Sequence, residues 1–554
     1  MLDSRNSKKA AVIGGVAAAV VGLTGVGVYA LVGSDSGSEG NTQGSVAASD
    51  DGKGGSDEVK KGPPSTAEVR ATAKKFLGAW AQGDLKKAAR LTDDKATAHK
   101  ALSGFRTQGR AAKVSLTPKA AQEAKVPFAL TARISYKQKR GALNYESSLE
   151  VVRDKTTGKT VVDWKPSVLH PRLKDGQTIR TDASGTPPIK AVDRSGAPLT
   201  EEDHPTLGDV IDDVGKRYGD KTDGSAGVQT RIVDPKNKSK NVVLRQLSKP
   251  TPGELKTTID AKAQTAAEAA VRGKSKASVV AVKPSTGEIL AVANSPAKGF
   301  NSALRGSLAP GSTMKVVTGA MLLDKGLASP GKAHPCPKYE TYGGWKFQNL
   351  DKFEIKNGTF AQSFARSCNT AFISQAKKLK DDDLTKEARD VFGIGLDWKT
   401  GTGTFDGSVP VQSDAQMASS LIGQGAVRMN PLTMASVSAT VQSGSFKQPV
   451  IVPASLDNRT LAKAPRTMKP TVAKDLKGLM RLTATSGTAA EALSGLSGDV
   501  GGKTGSAEVD GQKKPNAWFT AYSGDVAAAA VVPASGHGGD NAGPVVRKVL
   551  DAAR

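Results

Sequence analysis

The sequence predicts an α+β protein of several domains, and three observations carry that prediction. Ala10 to Val32 is an almost unbroken apolar and glycine run. From residue 65 apolar residues fall at helical spacing and are followed by strand-like runs. Beyond residue 250, helical and strand-like segments surround short serine, lysine and glycine strings that carry chemistry. With 554 residues, 38% of them hydrophobic, the chain is ample for more than one core.

Arg5, Lys8 and Lys9 precede the first apolar run. About twenty apolar residues span a bilayer, and flanking positive charge keeps a short N-terminus in the cytoplasm. The expectation is therefore a cytoplasmic stretch over 1–9 and a transmembrane anchor over 10–32. A cleaved signal peptide ending near Val28-Tyr-Ala30 is the rival, although the run is long for a signal core. Residues 33–64 shift to Gly, Ser, Asp and Lys, the composition of a flexible tether that builds no core.

The next unit spans 65–172. Val69, Ala73, Phe76, Leu77 and Trp80 share one helical face within Thr66 to Ala81, and Asp84 to Leu91 reads as a second helix. Strands are expected at Phe128 to Tyr136, Leu143 to Arg153 and Thr160 to Trp164. A Gly/Pro/Asp-rich connector follows over 173–250, ahead of the last region, 251–554.

Three strings stand in order in that region: Ser312-Thr-Met-Lys315, Ser367-Cys-Asn369 and Lys503-Thr-Gly-Ser506. Each alone is weak, because the first pattern recurs at Ser295/Lys298, Ser329/Lys332 and Ser374/Lys377. The second recurs at Ser4/Asn6 and Ser239/Asn241, and another Lys-Thr-Gly-Thr begins at Lys399. Context selects among them. Ser312 follows Pro310-Gly311 and opens the apolar run Met314 to Leu323, as in the first turn of a buried helix, so Ser312 and Lys315 share a face. A lysine three residues on can take the serine proton if its amine is neutral, and a second cation favours that neutrality. Lys503, among glycines beside the strand-like Trp518 to Tyr522, can supply the cation, whereas Lys399 lies in a turn.

Lys and Arg number 78 against 53 Asp and Glu, a net charge of +25. The surplus reads as spread along the chain, with no helix-turn-helix, zinc-finger or RNP-like string, so nucleic acid is not expected as a partner. An anionic cell envelope accounts for it. His99, His170, His204, His334 and His537 form no metal-binding pattern, and neither a metal nor a cofactor is expected. Cys336 and Cys368 could pair outside the cytoplasm or remain two buried thiols. Ser367 and Asn369 could equally cap a helix at Thr370 to Ile373, and Gln424 between two glycines reads as a turn.

Two resemblances add to this reading. The helix-then-strand order of 65–172, closing on Trp164-Lys-Pro-Ser-Val-Leu-His-Pro171, resembles the NTF2-like, MecA-type N-terminal domain of some membrane-bound transpeptidases. Ile189 to Leu199 is similar to the entry of the linker, or dimerisation-like, domain of class B penicillin-binding proteins, with Pro187-Pro188 replacing that family's arginine and glycine. From Leu255 onward the chain resembles the penicillin-binding transpeptidase domain. The match runs through Thr257 to Gln264, Val282 to Val292, Pro310 to Lys315, Ser367 to Phe372, Gly423-Gln-Gly425, Asn430-Pro431 and Gly502 to Glu508. It implies the penicillin-binding, serine β-lactamase-like fold, an antiparallel sheet flanked by helices.

The same resemblance implies roles. Ser312 would be the acylated nucleophile, Lys315 its base, Ser367 a proton relay, Asn369 a holder of the substrate amide and Lys503 an electrostatic tuner. Thr504, Gly505 and Ser506 would bind the substrate, with the backbone N–H groups of Ser312 and Ser506 forming an oxyanion hole. The expected function is a peptidoglycan D,D-transpeptidase acting on stem peptides and acylated by β-lactams. It would be a single-pass membrane protein with an extracytoplasmic catalytic domain, working with other cell-wall synthesis proteins. The alternatives are a D,D-carboxypeptidase, a β-lactamase, a β-lactam sensor or a silent scaffold. One apolar span disfavours the multi-span sensor, and the lack of an evident water-activating base disfavours the β-lactamase.

Overall fold

A computed structural model describes residues 60–554. The expected N-terminus, the anchor Ala10–Val32 and most of the tether lie outside the described residues. Among the described residues no helix is long and apolar enough to cross a membrane. The last tether residues, 60–64, lie against the first domain, where Arg153 Nε donates to the Gly62 carbonyl at 3.0 Å.

The helix Thr66–Ala81 starts where Ser65 and Glu68 satisfy each other's backbone N–H groups, a reciprocal cap. Its five predicted core residues are all buried. Asp84 and Asp94 cap the helices Leu85–Arg90 and Lys95–Thr107 one-sidedly, accepting from the Lys87 and Thr97 N–H groups. Four strands follow, β1 (Ala111–Pro118), β2 (Lys125–Tyr136), β3 (Lys139–Arg153) and β4 (Thr160–Asp163), in the antiparallel order β1-β2-β3-β4. The sequence reading missed Lys95–Thr107 and β1, whose inward sides are only sparsely apolar, and set β2 and β3 three and four residues short.

The connector is more structured than its composition suggests. It contributes β5 (Thr178–Ala183), β6 (Ile189–Val192), the helix Gly208–Tyr218, β7 (Val228–Val233), β8 (Val242–Ser248) and, just past its end, β9 (Gly253–Lys256). Strands β5, β7 and β8 form one sheet, while β6 pairs parallel with β9. Ile179 and Ile232 join the core of the first domain. Leu207, Val210, Val214 and Tyr218 join the core of the last region. The connector therefore divides its apolar residues between two cores.

In the last region β10 (Ala277–Val282) and β11 (Ile289–Ser295) precede the nucleophile string, and a small hairpin, β12 (Tyr339–Tyr342) and β13 (Trp345–Gln348), follows it. Then come β14 (Val500–Ala507), β15 (Asn516–Ser523) and β16 (Val526–Val532). Five of these form an antiparallel sheet ordered β11-β10-β16-β15-β14. Side chains alternate between two apolar layers: Val280, Val282, Ala527, Ala529 and Val531 face one, and Val279, Ala281, Ala528 and Ala530 face the other. The helices Ala261–Val271 and Gly543–Ala553 cover the second face. The helix Pro431–Ser443 covers the first, capped by Asn430 and stopped by Gly444 at φ 76°. Thr520 in β15 donates to Met434 in that helix at 2.8 Å. This sheet leaves β14, with its Lys-Thr-Gly-Ser string, at an edge.

Phe76 is fully buried in the first domain, its ring 6.0 Å from Trp80 and 6.4 Å from Trp164. Phe76→Ala should destabilise that domain by about 3–5 kcal/mol through lost burial and the cavity left behind. Denaturant unfolding monitored by tryptophan fluorescence checks this.

Candidate active site

Ser312 stands on a single tight turn, Gly311–Met314, that runs straight into the buried helix Lys315–Asp324. The nucleophile string thus straddles the helix start, where the sequence reading placed Ser312 inside the first turn. Lys315 Nζ still reaches Ser312 Oγ at 2.9 Å. It also donates to the Ser367 carbonyl at 2.8 Å and to Asn369 Oδ1 at 2.6 Å. Lys503 enters from the edge strand β14, donating to Ser367 Oγ at 2.8 Å and to the Thr504 carbonyl at 3.0 Å. Ser367 Oγ lies 3.5 Å from Lys315 Nζ, so one hydroxyl stands between two amines. All five predicted catalytic residues therefore meet at one place.

Neither Ser367 nor Asn369 caps the next helix. Asn369–Ile373 begins after Cys368, whose sulfur accepts from the Ala371 N–H, which frees both neighbouring side chains to face the lysines. Ser367 adopts φ 59°, a left-handed conformation uncommon for a residue with a Cβ. Cys368 is joined to Cys336, closing a loop that holds the β12–β13 hairpin. Thr504 is buried and shares a 2.6 Å hydroxyl contact with Thr488, while Ser506 is partly exposed at the lip.

Glycines bring these pieces into contact. Gly311 has φ 55°, and a Cβ there would fall 2.6 Å from the Ser506 carbonyl. A Cβ on Gly423 would fall 2.0 Å from the Gly311 carbonyl, and the Gly311 N–H donates to Gly423 O at 3.0 Å. Gly505 leaves no room for a side chain either, with Pro310 O only 2.9 Å from the added atom. Gln424 sits in the turn these glycines allow.

The other copies of the patterns lie elsewhere. Lys298 pairs with Glu201 at 2.7 Å on the surface, Lys399 pairs with Asp397 at 2.5 Å, and Ser374 donates to its own helix at Ala371 O. Among the described residues no group of His, Cys, Asp or Glu is placed to hold a metal.

Lys315 and Lys503 are both fully buried, with no carboxylate among the partners of either amine. Burial pushes Lys503 down to about 7. Burial together with the Lys503 charge pushes Lys315 well below the ordinary lysine value of 10.5. Both effects favour the neutral form of the Lys315 amine beside the Ser312 hydroxyl, the form that a base for this nucleophile requires.

Residues 277–551 match the family model described as the penicillin binding protein transpeptidase domain, and 68–177 match the NTF2-like N-terminal transpeptidase domain. The chain belongs to the class B penicillin-binding proteins. The peptidoglycan D,D-transpeptidase PbpA of Mycobacterium tuberculosis (strain CDC 1551 / Oshkosh) is 28% identical over 366 residues, which is 55% of this chain and 73% of the relative. PbpA of Mycolicibacterium smegmatis is likewise 28% identical, over 374 residues, with the same two coverages. The fold is also that of Pseudomonas aeruginosa PBP2 in complex with WCK 5153, at TM-score 0.54 and 22% identity, covering 66% of this chain and 96% of that one.

Sequence reasoning missed Asn349, a buried residue at the end of the β12–β13 hairpin of this penicillin-binding protein. Its Oδ1 accepts from the N–H groups of Asn369 at 2.8 Å and Thr370 at 3.1 Å. Its Nδ2 donates to the carbonyls of Pro337 and Phe353, both at 2.9 Å. A lone amide after a short strand has no periodic signature. The close packing of Gly538 on Gly505, 2.4 Å from an added Cβ to the carbonyl, was equally silent in the sequence.

Asn349→Leu strands these buried groups at a cost of about 1–3 kcal/mol each, and should lower the melting temperature and slow acylation of Ser312. Gly311→Ala should abolish acylation in protein that still folds, because the added Cβ pushes Ser506 away from Ser312. Stopped-flow acylation with a chromogenic cephalosporin, alongside thermal unfolding, measures both.

Proposed function

We propose that the chain is a membrane-anchored peptidoglycan D,D-transpeptidase whose acyl-enzyme forms on Ser312. The observation that carries this reading is the 2.9 Å approach of a fully buried lysine amine to the Ser312 hydroxyl. The relatives named peptidoglycan D,D-transpeptidase support the reaction class.

In this reading Ser312 Oγ attacks the carbonyl of the penultimate residue of a stem peptide as its proton passes to Lys315 Nζ. The backbone N–H groups of Ser312 and Ser506 hold the developing oxyanion. Ser367, between the two amines, carries the proton to the departing D-alanine nitrogen, so the C–N bond breaks without an acidic side chain. Asn369 and the Thr504-Gly505-Ser506 edge hold the donor peptide, Thr504 and Ser506 through their hydroxyls on its carboxylate. An acceptor amine then attacks the Ser312 ester, Lys315 takes up its proton and returns it to Ser312 Oγ as the ester C–O bond breaks, and the new amide leaves. A β-lactam enters the same route and stops at the ester.

Residues 10–32 would hold the chain in the plasma membrane, with 33–64 spacing the catalytic region outside it. The boundaries 65–172, 173–250 and 251–554 divide the rest into an NTF2-like domain, a linker and the transpeptidase domain.

Wild-type protein should be labelled covalently by fluorescent penicillin, and Ser312→Ala should not; unlabelled, folded wild type overturns the proposal. Incubation with a stem-peptide donor and an amine acceptor should yield cross-linked product, whereas release of D-alanine alone identifies a carboxypeptidase.

The acylation rate should fall as pH falls through the depressed Lys315 titration, on a limb well below pH 10.5. Lys503→Gln removes the like charge, raises the Lys315 value and should move that limb to higher pH. A pH–rate profile of acylation for the two proteins reads the shift directly.

A further inference from the structure

The positive charge is concentrated, contrary to the spread expected from the whole sequence. Residues 65–172 carry 22 Lys and Arg against nine Asp and Glu, a surplus of 13 within the chain's net +25. Six of these cations gather around the β2–β3 turn: Arg110, Lys113, Arg133, Lys137, Lys139 and Arg140, all exposed. Two carboxylates on the neighbouring strands are engaged by other cations, Glu146 by Lys119 and Asp182 by Arg231.

Two features of the cluster work against stability. Lys113 and Arg133 stand directly opposite each other in the β1–β2 pair, a like-charge juxtaposition. Arg110 and Lys137 adopt left-handed backbones at φ 59° and 51°, which costs about 1–2 kcal/mol for a residue with a Cβ. Both place their charge over the Tyr136 ring, at 5.9 and 5.8 Å from its centre. Crowded cations on strained backbone around one aromatic ring mark a surface built for an anion.

Strand β3 decides where that anion sits. The chain enters the domain at Gly62, bonded to Arg153 at one end of β3. Lys139 and Arg140 lie at its other end, about 46 Å away at ~3.3 Å per residue. The basic tip therefore lies at the opposite end of β3 from the point where the chain enters the domain. We propose that this tip docks the phosphodiester backbone of an anionic polymer of the cell wall, one whose repeated charges match several cations at once. The assignment rests on the extracytoplasmic placement proposed above.

The test uses full-length protein in zwitterionic nanodiscs and three solid supports. These are sacculi bearing the phosphodiester polymer, the same sacculi stripped with hydrofluoric acid, and beads coated with phosphatidylglycerol. Wild type should bind intact sacculi in a salt-sensitive manner and bind stripped sacculi at least about tenfold more weakly. Lys137→Gln/Lys139→Gln/Arg140→Gln should weaken binding about tenfold or more. An equal charge change at Lys86→Gln/Lys87→Gln/Arg90→Gln should weaken it less than about twofold. Lys137→Gly relieves the left-handed strain while removing a charge, so it should bind more weakly and melt higher. Penicillin labelling should be unchanged throughout, which separates failure here from failure of the catalytic reading. Equal losses in the two triple variants, undiminished binding to stripped sacculi, or preference for the lipid beads would each overturn the proposal.

Discussion

Two lysine amines share one serine hydroxyl in the interior of the protein, without a carboxylate in contact with either. An isolated buried ammonium costs several kcal/mol, and such groups neutralise where they can. Here Lys315 has the Ser367 carbonyl, the Asn369 amide oxygen and the Ser312 hydroxyl around it, while Lys503 has the Ser367 hydroxyl and the Thr504 carbonyl. These dipoles satisfy the N–H groups but offer no countercharge. Burial first, and the neighbouring Lys503 charge second, lower the Lys315 value and favour its neutral form. A glutamate in place of any of these partners would keep the amine charged and the nucleophile inert.

That geometry needs three chain segments within a few ångströms, and backbone alone is thin enough to permit it. Gly311, Gly423 and Gly505 are interlocked so closely that an added Cβ on any of them meets a neighbouring backbone atom within 3.0 Å. The third segment, Ser367 to Asn369, is fixed from outside. Asn349 holds its N–H groups, and the Cys336–Cys368 bond ties it to the hairpin that carries Asn349. The sheet contributes by leaving β14 at an edge, where a strand can present Lys503 to the interior and Ser506 to the groove.

How much of this the sequence disclosed follows from how local each cause is. The Ser312/Lys315 pairing depends on a three-residue spacing, and the long first helix on a capping box and apolar periodicity, so both were legible. Separating Lys503 from Lys399 needed only neighbouring glycines and a following strand. Cys368 as the cap, which frees Ser367 and Asn369, depends on contacts with Cys336 and Asn349 nineteen or more residues away, and pattern alone left it open. Most elements of the connector went unplaced for a related reason. Its Gly, Pro and Asp content reads as linker, yet isolated apolar residues such as Ile179, Ile232 and Val214 are enough when two large cores already exist to receive them.

Because the connector feeds both cores, residues 60–554 form one compact unit. The molecule then uses positive charge in two opposite ways within a single frame. Around Ser312 burial lowers the values of both lysine amines and so favours the form that can act as a base. At the β2–β3 turn the cations are exposed, and their repulsion is tolerated because water screens it at small cost. The same residue type is a proton acceptor in one place and a polyanion ligand in the other, and burial alone sets the difference. A polymer held at the turn would meet a catalytic groove in a fixed relation to it, so capture of the wall and presentation of Ser312 become one geometric event.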